Sequence, residues 1–516
     1  MADTKREIER KYEAGDRDGV PDLTSVTGVA EVAERGLSEL DAVYYDTVDQ
    51  RLAAASITLR RRTGGSDAGW HLKLPVAEGV RDEIRAPLSD TVPRVLTGLV
   101  RSRIRDAALA PVVRLLSARE VRHLLDADGA LLAEVSVDAV RAERLTTGGG
   151  TAAWTEIEVE LADDGDPAFL DKVEKKLRKA GLRRAASPSK LARALAETAP
   201  EPAPLGKKSG KSKKHAKGAP ESGTAGECVL AYLRTQRDAV VALDPAVRGD
   251  APDSVHQMRV ATRRTRSVFR SYRQVLDRAV TDPIGDELKW LAGELGVDRD
   301  QEVLTERLTT HLDKLPRTLL AGPVRTRLRT WAHARSGGSR RRLIAVLDSK
   351  RYLTLLDTLD AVISDPPLRE AAAKEPRPVI GKALRRDFGT LSDLVLHALD
   401  TPPGTDRDVA LHEARKKTKR VRYAAEVAVG LLGDPAKDLV RSMKTLQSLL
   451  GDHQDSVMTR LALRDLATQA QAAGESAFTY GVLYGREEQR AYWCEEALPE
   501  TWETVERWSR EVRRTR

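Results

Sequence analysis

The sequence is short of cysteine, aromatic residues and long apolar runs, and each shortage removes a class of protein. Two cysteines in 516 residues, Cys228 and Cys494, provide neither a disulfide framework nor a repeated zinc-ligand spacing. Aromatics make up 4% of the chain, too few for a protein that grips single strands by base stacking. No stretch approaches the roughly 20 apolar residues that span a bilayer. The opening MADTKREIERK is charged from the start, without the apolar segment of a signal peptide. The glycines of TGGSDAG (Gly64, Gly65, Gly69) and the run Gly148-Gly149-Gly150 lack the GxxxxGK[ST] order of a phosphate loop and read as hairpin loops. No Ser-His-Asp arrangement stands out. These absences lead to the expectation of a cytoplasmic protein.

What is present is charge. The net balance is +8, which suits an anionic partner without naming it. Residues 198–226, TAPEPAPLGKKSGKSKKHAKGAPESGTAG, hold six lysines among Pro, Gly and Ser, with almost nothing to bury. They read as a linker. Before it, SITLRRR, WHLKLP, DEIRAPL, LLAEVSVDAV and WTEIEVEL alternate as strands do, whereas FLDKVEKKLRKAG and KLARALAE read as helices. After it the pattern is helical nearly throughout, with spacer turns expected at LDPAVRGDAPD, ISDPPL and LDTPPGTD. The expectation is an α+β or barrel-like domain over 1–200, a linker over 201–224, and an all-α domain over 225–516.

The strands carry charge on one face. In EIERKYE, an extended chain places Glu7, Glu9 and Lys11 opposite Ile8, Arg10 and Tyr12. Thr58, Arg60 and Arg62 oppose Ile57 and Leu59; His71 and Lys73 oppose Trp70, Leu72 and Leu74. Glu134, Ser136 and Asp138 form another such face, and Glu156, Glu158 and Glu160 a fourth. A sheet with one wet face produces this alternation. So does a closed barrel with apolar stripes outward against helices and a polar tunnel within. Carboxylates crowded into a tunnel repel strongly unless cations join them, and oxygen-seeking Mg²⁺ or Mn²⁺ suits. Arginine and lysine on the other walls suit a phosphate chain.

The ordered set of Glu7-Ile8-Glu9-Arg10-Lys11, Arg60 and Arg62, Lys73, Arg85, Arg122, Glu134/Asp138, Glu156/Glu158/Glu160 and Ser189-Lys190 resembles the CYTH domain, whose members include triphosphate tunnel metalloenzymes. The resemblance implies an antiparallel eight-stranded β-barrel that hydrolyses triphosphates with a divalent metal. It implies catalytic roles for Glu7, Glu9 and Lys11, and metal ligation by Glu7, Glu9, Asp138, Glu156 and Glu158. Phosphate would be held by Arg60, Arg62, Lys73, Arg85, Arg122 and Lys190.

The helical half repeats itself. HQMRVATRRTRSVFRSY begins at His256, and HEARKKTKRVRYAAEV begins 156 residues later at His412. LKWLAGELGVDRDQEV and MKTLQSLLGDHQDSVM follow in the same order, so two related helical bundles are expected. His256, Arg259, Arg263 and Arg270 fall within about 60° of one helical face, and His412, Arg415, Lys416 and Lys419 within about 100° of another. Arg264, Arg266, Arg420 and Arg422 widen the positive surface. Six arginines lie between His256 and Leu276 without one acidic residue, which a merely solvated face does not require. This half resembles the CHAD domain, which often follows CYTH and is associated with inorganic polyphosphate. The resemblance implies polyphosphate binding by His256, Arg259, Arg263, Arg264, His412, Arg415, Lys416, Lys419 and Arg420, and association with polyphosphate granules. Nucleic acid satisfies the same electrostatics. Two alternatives to a triphosphatase stay open: a non-catalytic polyphosphate scaffold, and an adenylate cyclase.

Overall fold

The structure, a computed structural model, describes residues 3–14, 19–200, 223–335 and 339–514. Most of the linker segment lies outside the described residues. The chain divides into two compact units, residues 1–211 and 212–516.

In the first unit the alternating runs become strands β1 (Asp3–Ala14), β2 (Glu31–Asp46), β3 (Thr58–Thr63), β4 (Gly69–Ala77), β5 (Val80–Ala86), β6 (Ala110–Leu125), β7 (Leu131–Arg144) and β8 (Thr151–Leu161). Neighbours run in the order β5-β4-β3-β2-β6-β7-β8-β1, and β1 pairs again with β5, closing an antiparallel eight-stranded barrel. A two-residue β9 (Arg183–Arg184) adds to β1. Closure leaves no edge strand on the barrel wall. The β3–β4 hairpin turns tightly at Gly64, whose φ is +81° and where a Cβ would come within 2.2 Å of Glu39 O.

The helices of this unit are the turn α1 (Arg51–Ala54), α2 (Arg94–Ile104), α3 (Ala168–Lys179) and α4 (Lys190–Glu197). The first three cover the apolar outer side of the strands, so two of the barrel's hydrophobic cores lie outside it. Leu96, Val100 and Ile104 of α2 pack with Leu59, Trp70, Leu72 and Ile84. Phe169, Leu170, Val173 and Leu177 of α3 pack with Tyr12, Val135, Ile157 and Val159. Leu191 and Ala194 of α4 instead pack against Val113, Leu115, Val140 and Trp154, which share the inner face with Arg119, Asp138 and Glu156, so this helix fills one end of the barrel. Each buried side chain of leucine or valine size contributes about 1.5–3 kcal/mol over leaving it in water. That drive turns the charged stripes inward.

The second unit comprises α5 (Ala225–Arg248), α6 (Ser254–Ser271), α7 (Arg278–Glu294), α8 (Val297–Asp313), α9 (Val324–Arg335), α10 (Ser339–Leu347), α11 (Lys350–Ser364), α12 (Pro376–Asp400), α13 (Thr405–Leu432), α14 (Asp434–Ala472) and α15 (Phe478–Arg514). The turn expected at LDPAVRGDAPD starts later than the sequence suggested: α5 runs through Pro245 to Arg248. The helix is fixed there by Val240, Val241 and Val247, buried against the rest of the bundle. The repeated helices α6 and α13 meet, with Tyr272 Oη donating to Ala424 O at 2.7 Å. Both share one large core, and a smaller one joins parts of α8, α9, α14 and α15. No helix among the described residues is long and apolar enough to cross a membrane.

Candidate functional sites

The barrel encloses a cavity of about 760 Å³ walled mostly by charge. β1 contributes Lys5, Glu7, Glu9 and Lys11; β3 Arg60 and Arg62; β4 Lys73; β5 Arg81, Glu83 and Arg85; β6 Arg119 and His123; β8 Glu158 and Glu160. Period-two alternation puts each of these on the inner face, since its neighbours feed the outer cores.

On one wall, Glu83 is 1% exposed and accepts from His71 Nδ1 at 3.0 Å and Arg85 Nε at 2.5 Å. Lys73 Nζ stands 2.5 Å from Glu7 Oε2 and 3.7 Å from Glu83. Burial pushes Glu7 up, Lys73 opposes this, and the charges of Glu83 and Glu160 help leave it at about 7. Burial also works to raise Glu83, yet the bond from His71 and the charges of Lys73 and Arg60 hold it far below the usual carboxylate range. Arg60 reaches Tyr44 Oη at 3.3 Å, and its buried Nε has no acceptor. Arg62 pairs with Asp67, while burial and then the charges of Arg60 and Arg119 pull it down to about 9. Guanidinium groups so placed are ready for an anion.

The opposite wall is acidic. Asp138, Glu156 and Glu158 are 0%, 4% and 9% exposed, and their ligand atoms lie within 4.8 Å of one another. Lys190, the first residue of α4, drives its Nζ to 2.9 Å from Asp138, 2.7 Å from Glu156 and 2.7 Å from Glu158. Burial alone would strip that ammonium of its proton; the three carboxylates outweigh it and hold Lys190 well above its ordinary value. Arg119 forks onto Asp138 with two bonds of 2.7 Å and reaches Glu158 at 2.8 Å. Lys11 bridges Glu158 and Glu9, the latter at 3.2 Å. Burial works to raise Glu9, but Lys11 and Lys73 prevail and keep it low.

The five carboxylates expected to hold metal therefore do not form one cluster. Three close on Lys190, Glu9 joins them through Lys11, and Glu7 faces Lys73. The donor set still suits a hard divalent ion. All five carboxylates are buried, and a cation already occupies the centre of the trio, where Lys190 Nζ lies 2.7 Å from Glu156 Oε1. Lys190, expected on phosphate, spends its ammonium on these acids.

Arg122 is a correction. It stands on the outer face of β6 beside Glu120, 3.9 Å away, and takes no part in the cavity wall. The inward residues are Arg119, Val121 and His123. The signal was available, because Arg122 has the parity of Leu124, which is 0% exposed in the outer core. Glu83 and Arg119 went unnoticed in the sequence, since each sits in a run where charge occurs on both faces.

In the helical unit the predicted cations separate. Arg259 is bound to Asp300 at 2.8 Å, Arg264 to Glu426 at 3.0 Å with its guanidinium over the Tyr423 ring, and exposed Lys416 to Glu413. His256 is exposed, and His412 Nδ1 lies 2.6 Å from Gln454 Oε1. Arg263, Arg415, Lys419 and Arg420 have no acidic partner at ion-pair distance among the described residues. The Nε atoms of Arg263 and Arg415 are buried without acceptors. Burial, then Arg415, Arg263 and Arg422, bring Lys419 down to about 7 despite Asp455. Arg307 of α8 adds to this surface, 3.9 Å from Asp455 and fixed by Glu487 at 2.7 Å. Nothing in its sequence context marked it.

Comparison with known proteins covers both units. The CYTH domain model matches residues 5–195 and the CHAD domain model residues 231–464. The uncharacterized protein Rv2226 of Mycobacterium tuberculosis is 38% identical over 507 residues, spanning 95% of this chain and 94% of its own. Among solved structures, PptA from Streptomyces chartreusis is 20% identical and aligns over 54% of this chain and 99% of its own, with a TM-score of 0.46. HpAC1 from Hippeastrum, described as an adenylyl cyclase candidate with a dominant triphosphatase activity, is 17% identical. It aligns over 37% of this chain and 96% of its own, with a TM-score of 0.22.

Proposed function

This chain belongs to the proteins that join a CYTH domain to a CHAD domain, and on that premise we propose that its barrel hydrolyses the terminal phosphoanhydride of triphosphates while its helical unit binds inorganic polyphosphate. The observation that carries the first part is one cavity in which buried acids face guanidinium groups, two of which, Arg60 and Arg62, keep a buried Nε without an acceptor. Arg60, Arg62, Lys73 and Arg85 bind and orient the phosphate chain, and their charge offsets the charge that grows on the leaving group. Glu7, Glu9, Asp138, Glu156 and Glu158 would hold Mg²⁺ or Mn²⁺, which neutralises phosphate charge and acidifies water when bound. Lys11 keeps Glu9 and Glu158 from repelling each other. Arg119 and Lys190 do the same for Asp138, Glu156 and Glu158.

The second part is supported by Arg263, Arg415 and Lys419, three adjoining cations with no acid at ion-pair distance among the described residues. Binding a polyanion there releases counterions, so affinity falls steeply with salt.

Replacing Glu7 and Glu9 together by Gln is expected to abolish metal-dependent phosphate release from tripolyphosphate. Unchanged turnover in that variant overturns the hydrolase reading. The wild type, assayed with tripolyphosphate, thiamine triphosphate, nucleoside triphosphates and polyphosphate under Mg²⁺ and Mn²⁺, identifies the substrate. Failure of long polyphosphate to displace DNA at equal phosphate concentration overturns the binding reading.

A further inference from the structure

The basic stripe on α6 does not end at Arg263. Arg266 and Arg270 continue the same helical face, one and two turns on. Arg420 of α13 and Arg386 of α12 join them from the flanking helices. Burial, followed by Arg270 and Arg420, pulls Arg266 below its ordinary value against Asp286. Arg420 is lowered too, first by burial and then by Arg270 and Arg386, against the attraction of Asp387.

Local acids relieve only part of this repulsion. Asp387 is 3% exposed, lies 3.7 Å from Arg386 Nη2, and is held more closely by Lys417 at 2.9 Å and Ser271 at 2.5 Å. Arg266, Arg270 and Arg420 have no ion-pair partner among the described residues. Arg386 spends Nη2 on Ser271 O at 2.5 Å, while its Nη1 is buried without an acceptor, as is Arg266 Nε. Four crowded guanidinium groups with idle donors are unfavourable in a free protein and favourable around an anion.

This cluster adjoins the one around Arg263, Arg415 and Lys419, since Arg263 and Arg266 are a single helical turn apart. From Arg263 to Arg270 the rise is about 10 Å. We infer that Arg266, Arg270, Arg386 and Arg420 form a second subsite for the polyphosphate chain held at Arg263, Arg415 and Lys419, so the helical unit selects chains long enough to span both clusters. The inference rests on the polyphosphate-binding reading and adds a length requirement to it. Engaging the second cluster is intramolecular once the first is occupied, which strengthens long chains alone. A tripolyphosphate has three phosphate groups for the seven cations of the two clusters and cannot fill both.

The test uses the full-length protein with Arg266→Gln and Arg270→Gln combined, titrated with long polyphosphate and with tripolyphosphate. Tripolyphosphate also enters the barrel, which these substitutions leave intact, so it serves as the internal reference. Long-chain affinity is expected to fall about tenfold, with a salt slope smaller by about 1.4 for the two removed charges. Tripolyphosphate affinity stays within about twofold. The Arg266→Lys/Arg270→Lys protein, folded and still charged, retains the wild-type slope. Equal losses for both ligands, or an unchanged long-chain affinity, overturn the inference and leave polyphosphate binding standing. A wild type that does not bind long polyphosphate removes the binding reading itself, and this inference with it.

Discussion

Two arginines on one strand separate position from composition. Arg119 forks onto the fully buried Asp138, whereas Arg122, three residues on, is on the outer face near Glu120. Arg119→Met leaves Asp138 and Glu158 short of a cation; it is expected to cost about 3 kcal/mol in urea unfolding and to remove most activity. Arg122→Gln is expected to stay within about 0.5 kcal/mol with turnover intact. Lys419 yields a pH dependence. Its pKa is depressed in the fold to about 7, so the free protein sheds this proton as pH rises through that value. A bound polyanion favours the charged form, so binding must take the proton back from solvent. Polyphosphate affinity is therefore expected to weaken as pH rises above about 7, with net proton uptake measured by calorimetry in buffers of different ionisation enthalpy. Lys419→Met flattens both. The inward acids of β1 and β8 were legible because each alternates with isoleucine or valine. Lys190 was legible as a cation but not in its partners, since nothing local says that α4 aims it at three carboxylates.

At the scale of the element, α4 is short and its start matters. Ser189 is extended, and its Oγ accepts from Ala192 N at 3.1 Å, capping the helix whose first residue is Lys190. Ser189→Ala is expected to cost about 1 kcal/mol in urea unfolding and Ser189→Gly only a few tenths. Equal costs would mean that the hydroxyl does not cap. Strands and helices were readable where burial is one-sided, as in WTEIEVEL or the amphipathic α3 and α4. Reading failed at Pro245, where a local helix breaker is overruled by valines buried on either side of it. Tertiary packing outweighs propensity there, and no window of sequence contains the packing partners.

For the molecule as a whole, the cores belong to separate units: two line the outside of the barrel, one fills an end of it beneath α4, and two lie among the helices. Scanning calorimetry is expected to resolve two transitions, with Mg²⁺ and tripolyphosphate raising the barrel transition and leaving the other in place. A single transition that shifts as one would contradict this independence. The repeat was visible in the spacing of His256 and His412, but the merging of its two copies around α6 and α13 depends on contacts more than 150 residues apart, such as that of Tyr272 with Ala424. One detail of the barrel bears on the divalent ion proposed for it. Because the Lys190 ammonium already sits amid Asp138, Glu156 and Glu158, chelator-treated protein keeps its shape. A divalent ion held by this trio would take the place of the ammonium, and the Lys190 tail would swing aside to admit it.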